Sequence, residues 1–217
     1  MIVPILENEQ QFIEMSKKKL KWISISWIIL TILNYYYVPY FILVFELFLL
    51  IGFLFILSII LIIKLIKERK KINRQRIYSL LIIGALFIMT FYRYIPNRVI
   101  EKVDWFVFLN KRIEIVGQVK NDKLKPNVDW NEWVCELPFE FPIVSNGGND
   151  IGIFKNKTDS SLTVQFWIFR NFFDSPSTYF IYTEDKVDIE RIEKKISKRP
   201  RDNWKIRDNW YRVYGDY

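Results

Sequence analysis

FILVFELFLLIGFLFILSIILII, residues 41–63, holds a single charged side chain, Glu46. A helix needs about 20 mainly apolar residues to cross a hydrocarbon core about 30 Å thick, so the stretch reads as a membrane span over residues 40–63. Two flanking stretches read the same way: LKWISISWIILTILNYYYV, residues 20–38, and IYSLLIIGALFIMTFYRYI, residues 77–95. Pro39 separates the first two, with Asn34, Tyr35, Tyr36, Tyr37 and Tyr40 around it. Proline breaks helices and tyrosine favours the headgroup level, which predicts a tight hairpin turning at one membrane face. The first span is not read as a cleaved signal. Its apolar run exceeds the usual core of about 7–15 residues, and no small-residue cleavage site follows it.

Orientation follows from KLIKERKKINRQR, residues 64–76, which sets seven Lys or Arg residues against one Glu. Together with Lys17, Lys18, Lys19 and Lys21 it makes eleven positive residues on one side of the predicted spans. On the other side the nearest are Arg98 and Lys102, interleaved with Glu101 and Asp104. Lys and Arg in short loops mark the cytoplasmic side. This predicts a multi-pass protein of the cell membrane, with residues 1–19 in the cytoplasm and residues 96–217 outside it. The basic run would rest on anionic headgroups, each cation worth up to about 1 kcal/mol near the surface. A net charge of +8 and a pI near 9.4 therefore describe membrane flanks. The part from Pro96 onward is nearly balanced, with 20 Lys or Arg against 19 Asp or Glu, and no nucleic-acid partner is expected.

The chain has no histidine and one cysteine, Cys135. That excludes an intrachain disulfide, a Cys/His zinc cluster and any His-based triad. Cys135 reads as a small buried apolar residue. No cofactor and no metal are expected.

Glu46 is the one acid inside the apolar stretches, and Arg93 and Asn34 approach the same predicted membrane face. A charge in hydrocarbon costs about 2.5–3.5 kcal/mol on insertion scales, so a partner is expected. A Glu46–Arg93 intramembrane pair reads as structural, because one carboxylate in three helices is too little for a conduction pathway.

Residues 96–217 predict a small α+β domain with a mainly antiparallel sheet. Val99, Ile100, Val103, Phe106 and Val107, continued by Ile113, Val116 and Val119, recur at helical spacing and predict one or two helices up to Gln118. NDKLKPNV, residues 121–128, is a polar break. LTVQFWIFR, residues 162–170, alternates with period two and predicts a strand whose core face is Leu162, Val164, Phe166 and Ile168. Its second face, with Trp167 and Phe169, is apolar enough to need a cover. Residues 151–156 predict a partner strand across KTDSS, and residues 178–183 a third, after a turn at residues 174–177. Residues 133–137 and 210–214 read as edge strands. A helix beginning after an Asp188 cap buries Ile189, Ile192 and Ile196 and stops before Pro200.

Three features of this domain bear on chemistry. SNGGND, residues 145–150, offers backbone amides to an anion or the oxygens of Asn146, Asn149 and Asp150 to calcium, but it matches no established loop pattern and reads as a tight turn. Glu132, Glu136, Glu140, Glu184, Asp185 and Asp188 are the carboxylates from which a glycoside hydrolase would draw its pair, though nothing fixes two at the required separation. RDNWKI followed by RDNWYR, residues 201–212, is a six-residue echo that places Trp204 and Trp210 in similar local settings. With Trp130 and Trp133 they supply aromatics of the kind enriched at binding hot spots.

The candidate recognition surface is therefore Trp130, Trp133, Asn146, Asn149, Asp150, Trp204 and Trp210. The expected protein is a non-enzymatic membrane protein whose outer domain binds a protein or envelope component, an immunity-type role being one concrete form. The alternatives are an accessory subunit of a transporter or secretion complex acting through its spans, and an envelope hydrolase.

Overall fold

Three apolar stretches of the chain become helices in the computed structural model, which describes residues 17–37, 41–67, 74–156, 158–170 and 176–215. The predicted turn at Pro39 and Tyr40, the centre of the basic run, Lys157 of the KTDSS loop and the start of the 174–177 turn lie outside the described residues. Chain contacts divide the molecule into two compact units, Met1–Asn34 with Phe41–Arg98, and Tyr35–Tyr40 with Val99–Tyr217.

The first unit contains α1 (Lys17–Tyr37), α2 (Phe41–Lys67) and α3 (Arg74–Phe91). Among the described residues two helices, Phe45–Lys67 and Arg74–Phe91, are long and apolar enough to cross a membrane. The third predicted span, α1, forms as a helix but is more polar: lysines open it, and Asn34 and three tyrosines close it. Its buried centre contains Trp27, Leu54, Leu61, Ile83 and Leu86. Phe45, Phe48, Leu49 and Phe53 of α2 face outward. Four helical hydroxyls are satisfied locally: Thr31, Ser58, Ser79 and Thr90 each donate to the carbonyl four residues back. The third apolar stretch ends at Phe91, four residues earlier than its composition predicts. A new helix, α4 (Tyr94–Lys120), starts just beyond it and accepts Pro96 in its first turn, where a missing N–H costs nothing.

The second unit is a six-stranded antiparallel sheet in the order β1-β2-β3-β4-β6-β5. Its strands are β1 (Val134–Glu136), β2 (Asp150–Lys155), β3 (Leu162–Phe169), β4 (Thr178–Thr183), β5 (Trp204–Arg207) and β6 (Trp210–Tyr214). The predicted pairing of β2 with β3 is observed, with Ile151 opposite Phe166 and Ile153 opposite Val164. One predicted edge is corrected: β6 lies inside the sheet, between β4 and β5. The edge on that side is β5, whose strict alternation of Trp204, Lys205, Ile206 and Arg207 is too short to signal a strand.

Leu162, Val164, Phe166 and Ile168 do form the core side of β3, with Phe180, Tyr182, Trp210 and the α4 residues Trp105, Ile115, Val116 and Val119. Cys135 is buried there as a free thiol. The opposite face is covered in two ways. Helix α5 (Lys186–Lys198) lays Ile189, Ile192 and Ile196 over Ile181, Tyr211 and Val213, while Trp133 stacks over Trp167 and Phe154. The cap of α5 is Asp185, which accepts from the N–H groups of Val187 and Asp188 at 2.7 and 3.2 Å. The predicted cap, Asp188, stands in the first turn, and its carboxylate accepts from Thr163 at 2.7 Å.

Helix α4 is the single element that the predicted helical spacing up to Gln118 becomes, and its inward side is what the spacing does not give. Its apolar residues recur at helical spacing, but Val99, Val103, Phe106 and Val107 are exposed. The buried side reads Glu101, Asp104, Trp105, Arg112, Ile115, Val116 and Val119. A periodic count sees which residues share a face; it does not see which face meets the sheet.

Candidate functional site

In the helical unit, Trp27, Thr31 and Asn34 follow one another along a single face of α1. With Glu46, Thr90 and Arg93 they line a cavity of about 20 Å³, on a scale where one water occupies about 10–15 Å³. Trp27 Nε1 donates to Thr90 Oγ1 at 2.8 Å, and the Arg93 guanidinium donates to Asn34 Oδ1. The structure thus gathers Glu46, Arg93 and Asn34 around one space, but the hydrogen bond Arg93 makes goes to the asparagine. The chemistry on offer is a polar, water-sized pocket between apolar helices.

The sheet unit holds two buried ion pairs that sequence reasoning missed. Arg112 Nη2 meets Asp104 Oδ2 at 2.6 Å with both side chains nearly inaccessible. Its Nε donates to Val144 O at 3.0 Å, and its guanidinium lies 4.8 Å over the Phe180 ring. The second oxygen of Asp104 accepts from the Tyr36 hydroxyl at 2.7 Å. Arg212 Nε meets Glu101 Oε1 at 3.0 Å, again buried, with Trp204 beneath the guanidinium at 4.8 Å and the Asp202 carbonyl accepting from it. Each charge is offset by a partner and further hydrogen bonds, as a buried pair requires. A signal was present. Glu101, Asp104, Trp105, Phe108, Arg112, Ile115, Val116 and Val119 keep the spacing of one helical face, so the acids continue the stripe that later becomes apolar.

The predicted recognition residues do not form one surface. Asn146 and Asn149 are buried. Asn149 takes φ of 60° between Gly148 and Asp150, accepts from the N–H groups of Val144 and Ser145, and donates to the Phe139, Glu140 and Pro142 carbonyls. Asn146 Nδ2 donates to Ile168 O at 2.6 Å and Tyr35 O at 2.8 Å. Asp150 pairs with Arg170. SNGGND is thus an internally bonded turn, as its composition predicts. At Gly147 (φ 86°) a Cβ would meet Arg170 Cδ at 2.8 Å, so only glycine fits there.

The RDNW echo also resolves differently from its expectation. The first copy leads into β5, while the second contains the β5–β6 turn, where Asn209 has φ of 60°, and leads into β6. Trp210 is buried against Trp105, Phe166 and Tyr182, whereas Trp204 is half-buried under Arg212. Identical local sequence lands in unlike settings, because one tryptophan belongs to an interior strand and the other to an edge.

What the structure does assemble is an aromatic row on the sheet face away from α4. Phe154 stacks on Trp133 at 5.0 Å, Trp133 on Trp167 at 5.9 Å, and Tyr179 lies 5.8 Å from Trp167. The Arg170 guanidinium sits 4.7 Å over Trp167. Trp133 lies flat because Gly152 is beneath it, where a Cβ would be 3.1 Å from the indole. Phe154 and Trp133 are half-buried, and Trp130, in the loop before β1, is 65% exposed. Trp167 is buried beneath Trp133 and Arg170 is paired with Asp150, so the planar surface the row offers for stacking and apolar contact is that of the half-buried Trp133, Phe154 and Tyr179.

Three of the predicted acids, Glu184, Asp185 and Asp188, have structural partners, and Glu132, Glu136 and Glu140 are exposed. Asp185 caps α5 and also accepts from Asn156 and Ser161. Glu184 accepts from Lys120 Nζ at 2.6 Å and from the Tyr182 hydroxyl. Among the described residues no three His, Cys, Asp or Glu gather as a metal site. Hydrogen bonds from Lys120 and Tyr182 hold the Glu184 carboxyl below its usual range. Burial, then the bond to Glu184, pushes the Tyr182 phenol up. Burial works downward on Lys120, but its bonds to Glu184 and Tyr182 outweigh it and leave the amine raised.

A depressed carboxyl stabilises the fold above its ordinary value of about 4.3, an effect lost as pH falls through the lower folded value. The raised phenol and amine stabilise below about 10, an effect lost as pH rises through their folded values. The denaturant midpoint of the sheet domain is therefore expected to be level at neutral pH and to fall on both sides. Glu184→Gln should flatten both limbs slightly, because the cluster is well solvated. Asp185, depressed by the Asn156 hydrogen bond, keeps part of the acid limb. Tryptophan fluorescence at a series of pH values measures it.

No protein-family profile, curated protein or solved structure matches the chain.

Proposed function

We propose that the chain is an integral membrane protein with three spans, over residues 20–38, 40–63 and 77–95. Its N-terminus is cytoplasmic, and its sheet domain is a non-enzymatic recognition module outside the cytoplasm. The ligand is a protein or an envelope component, and protection against an externally acting toxin is one form such a module takes. The observation that carries the reading is the row Phe154–Trp133–Trp167–Tyr179 with Arg170 over it, since Trp, Tyr and Arg on a rigid base dominate binding hot spots. The charge asymmetry around the apolar helices supports the orientation. A phosphatase active only outside the cytoplasm should work when fused at the C-terminus and fail when inserted at residues 64–76.

Recognition is tested with the full-length chain in micelles, used to capture components of an envelope fraction. Trp133→Ala is expected to weaken specific capture about 30-fold, the equivalent of a hot spot worth about 2 kcal/mol, without moving the unfolding midpoint by a comparable amount. The polar cavity at Glu46 and Arg93 favours the second reading, an accessory subunit acting through its helices. Capture that survives Trp133→Ala and Trp130→Ala but is lost in Glu46→Gln would establish that reading instead.

A further inference from the structure

Up to Arg112, α4 buries charged side chains and exposes apolar ones, the reverse of a helix in water. One side buries Glu101, Asp104 and Arg112 within the sheet unit. The other shows Val99, Val103, Phe106 and Val107, at 59%, 56%, 77% and 62% exposure, continued by Ile113. Val99, Val103, Phe106, Asn110 and Ile113 follow one another at helical spacing, a row about 20 Å long at 1.5 Å per residue. Asn110 is the one polar member of the row, and an exposed apolar strip such as Val99, Val103, Phe106 and Val107 marks a contact with protein or with membrane.

We infer that this row docks on the acyl chains of one membrane leaflet, so that α4 is an interfacial helix whose polar side is covered by its own sheet domain instead of by water. The inference rests on the membrane-anchored reading above. Helix α4 begins three residues after the end of α3, which is apolar enough to cross a membrane, so its start belongs at a bilayer surface. An interfacial helix sinks its apolar side about 5–10 Å into the boundary of headgroups and chains. Its polar side must then be satisfied, and here Arg112 and Arg212 satisfy it. Lys102 is the exposed cation beside the row, with a stem long enough to lie on hydrocarbon while its ammonium reaches a phosphate. A second copy of the chain fits less well. An isologous contact would carry Lys102 of each copy into an apolar seam, and the acid further along the row, Glu114, is already paired with Lys111 at 2.8 Å.

The test is a nitroxide at Phe106→Cys in the full-length chain, with Cys135→Ala as background, in phosphatidylcholine–phosphatidylglycerol vesicles. Power saturation compares oxygen with a water-soluble nickel complex. A second label at Val103→Cys repeats the reading, and a label at Phe53→Cys on α2 serves as the membrane control. Oxygen several-fold more effective than nickel at residues 106 and 103 supports docking on lipid. Nickel more effective than oxygen there, with Phe53→Cys in lipid, overturns the inference and leaves the anchored reading standing. Both reagents excluded, with an immobilised or spin-coupled label, also overturns it and assigns the face to a protein or a second copy. If the Phe53→Cys label itself reports water, the anchored reading fails and the inference fails with it.

Discussion

Arg112→Met is expected to cost the sheet domain about 3–5 kcal/mol, because it leaves the Asp104 carboxylate buried without its cation. In the native protein that carboxylate meets Arg112 at 2.6 Å and the Tyr36 hydroxyl at 2.7 Å, and neither side chain of the pair reaches water. The variant should show a large fall in the denaturant midpoint of the full-length chain in micelles, followed by tryptophan fluorescence. The double variant Arg112→Met with Asp104→Leu separates charge from shape. Removing both partners removes the uncompensated charge, and replacing a buried pair by apolar groups is often neutral. Recovery should be incomplete, since the Val144 carbonyl loses its donor and Tyr36 loses its acceptor, each an unsatisfied group worth about 1–3 kcal/mol when buried. A double variant as unstable as the single one would show that packing, not charge, is what Arg112 contributes.

Phe166→Ala should be similarly severe, about 3–5 kcal/mol for a fully buried aromatic whose neighbours relax only partly. Phe166 lies on β3 between Ile151 of β2 and Phe180 of β4, with the Trp210 ring 5.8 Å away. Every layer of the α4-side core therefore loses contacts. Phe169→Ala, at the half-buried end of the same strand, is the comparison and should cost distinctly less. Equal losses at the two positions would mean that the core is not centred on Phe166.

Several elements were legible because their signals are local. The period-two alternation of residues 162–169 set both the strand and its core side. The apolar run of residues 41–63 allowed only a helix long enough to cross a membrane. Residues 145–150 announced a turn through adjacent glycines, and the structure shows one. What the sequence misread or left open shares another origin. The side of α4 that faces inward, the position of β6 inside the sheet and the unlike fates of Trp204 and Trp210 all depend on what lies across from a residue, and spacing along the chain does not carry that. The candidate site was the least legible part. Its row joins Trp133, Phe154, Trp167 and Tyr179 from four separate segments, and the glycine that lets Trp133 lie flat is unremarkable in the sequence.

The sequence by itself determined that this chain has apolar helices of membrane-crossing length and a separate sheet-forming part, because composition and periodicity act within one segment at a time. Only the tertiary structure decided that α4 turns Glu101, Asp104 and Arg112 inward and Val99, Val103 and Val107 outward. That choice depends on Arg212 reaching Glu101 across 111 residues of sequence, and on Arg112, paired with Asp104 along α4 itself, reaching the Val144 carbonyl and the Phe180 ring. Two buried ion pairs, once formed, make the charged side of the helix the one that must be covered, and the apolar side is left to face whatever surrounds the protein.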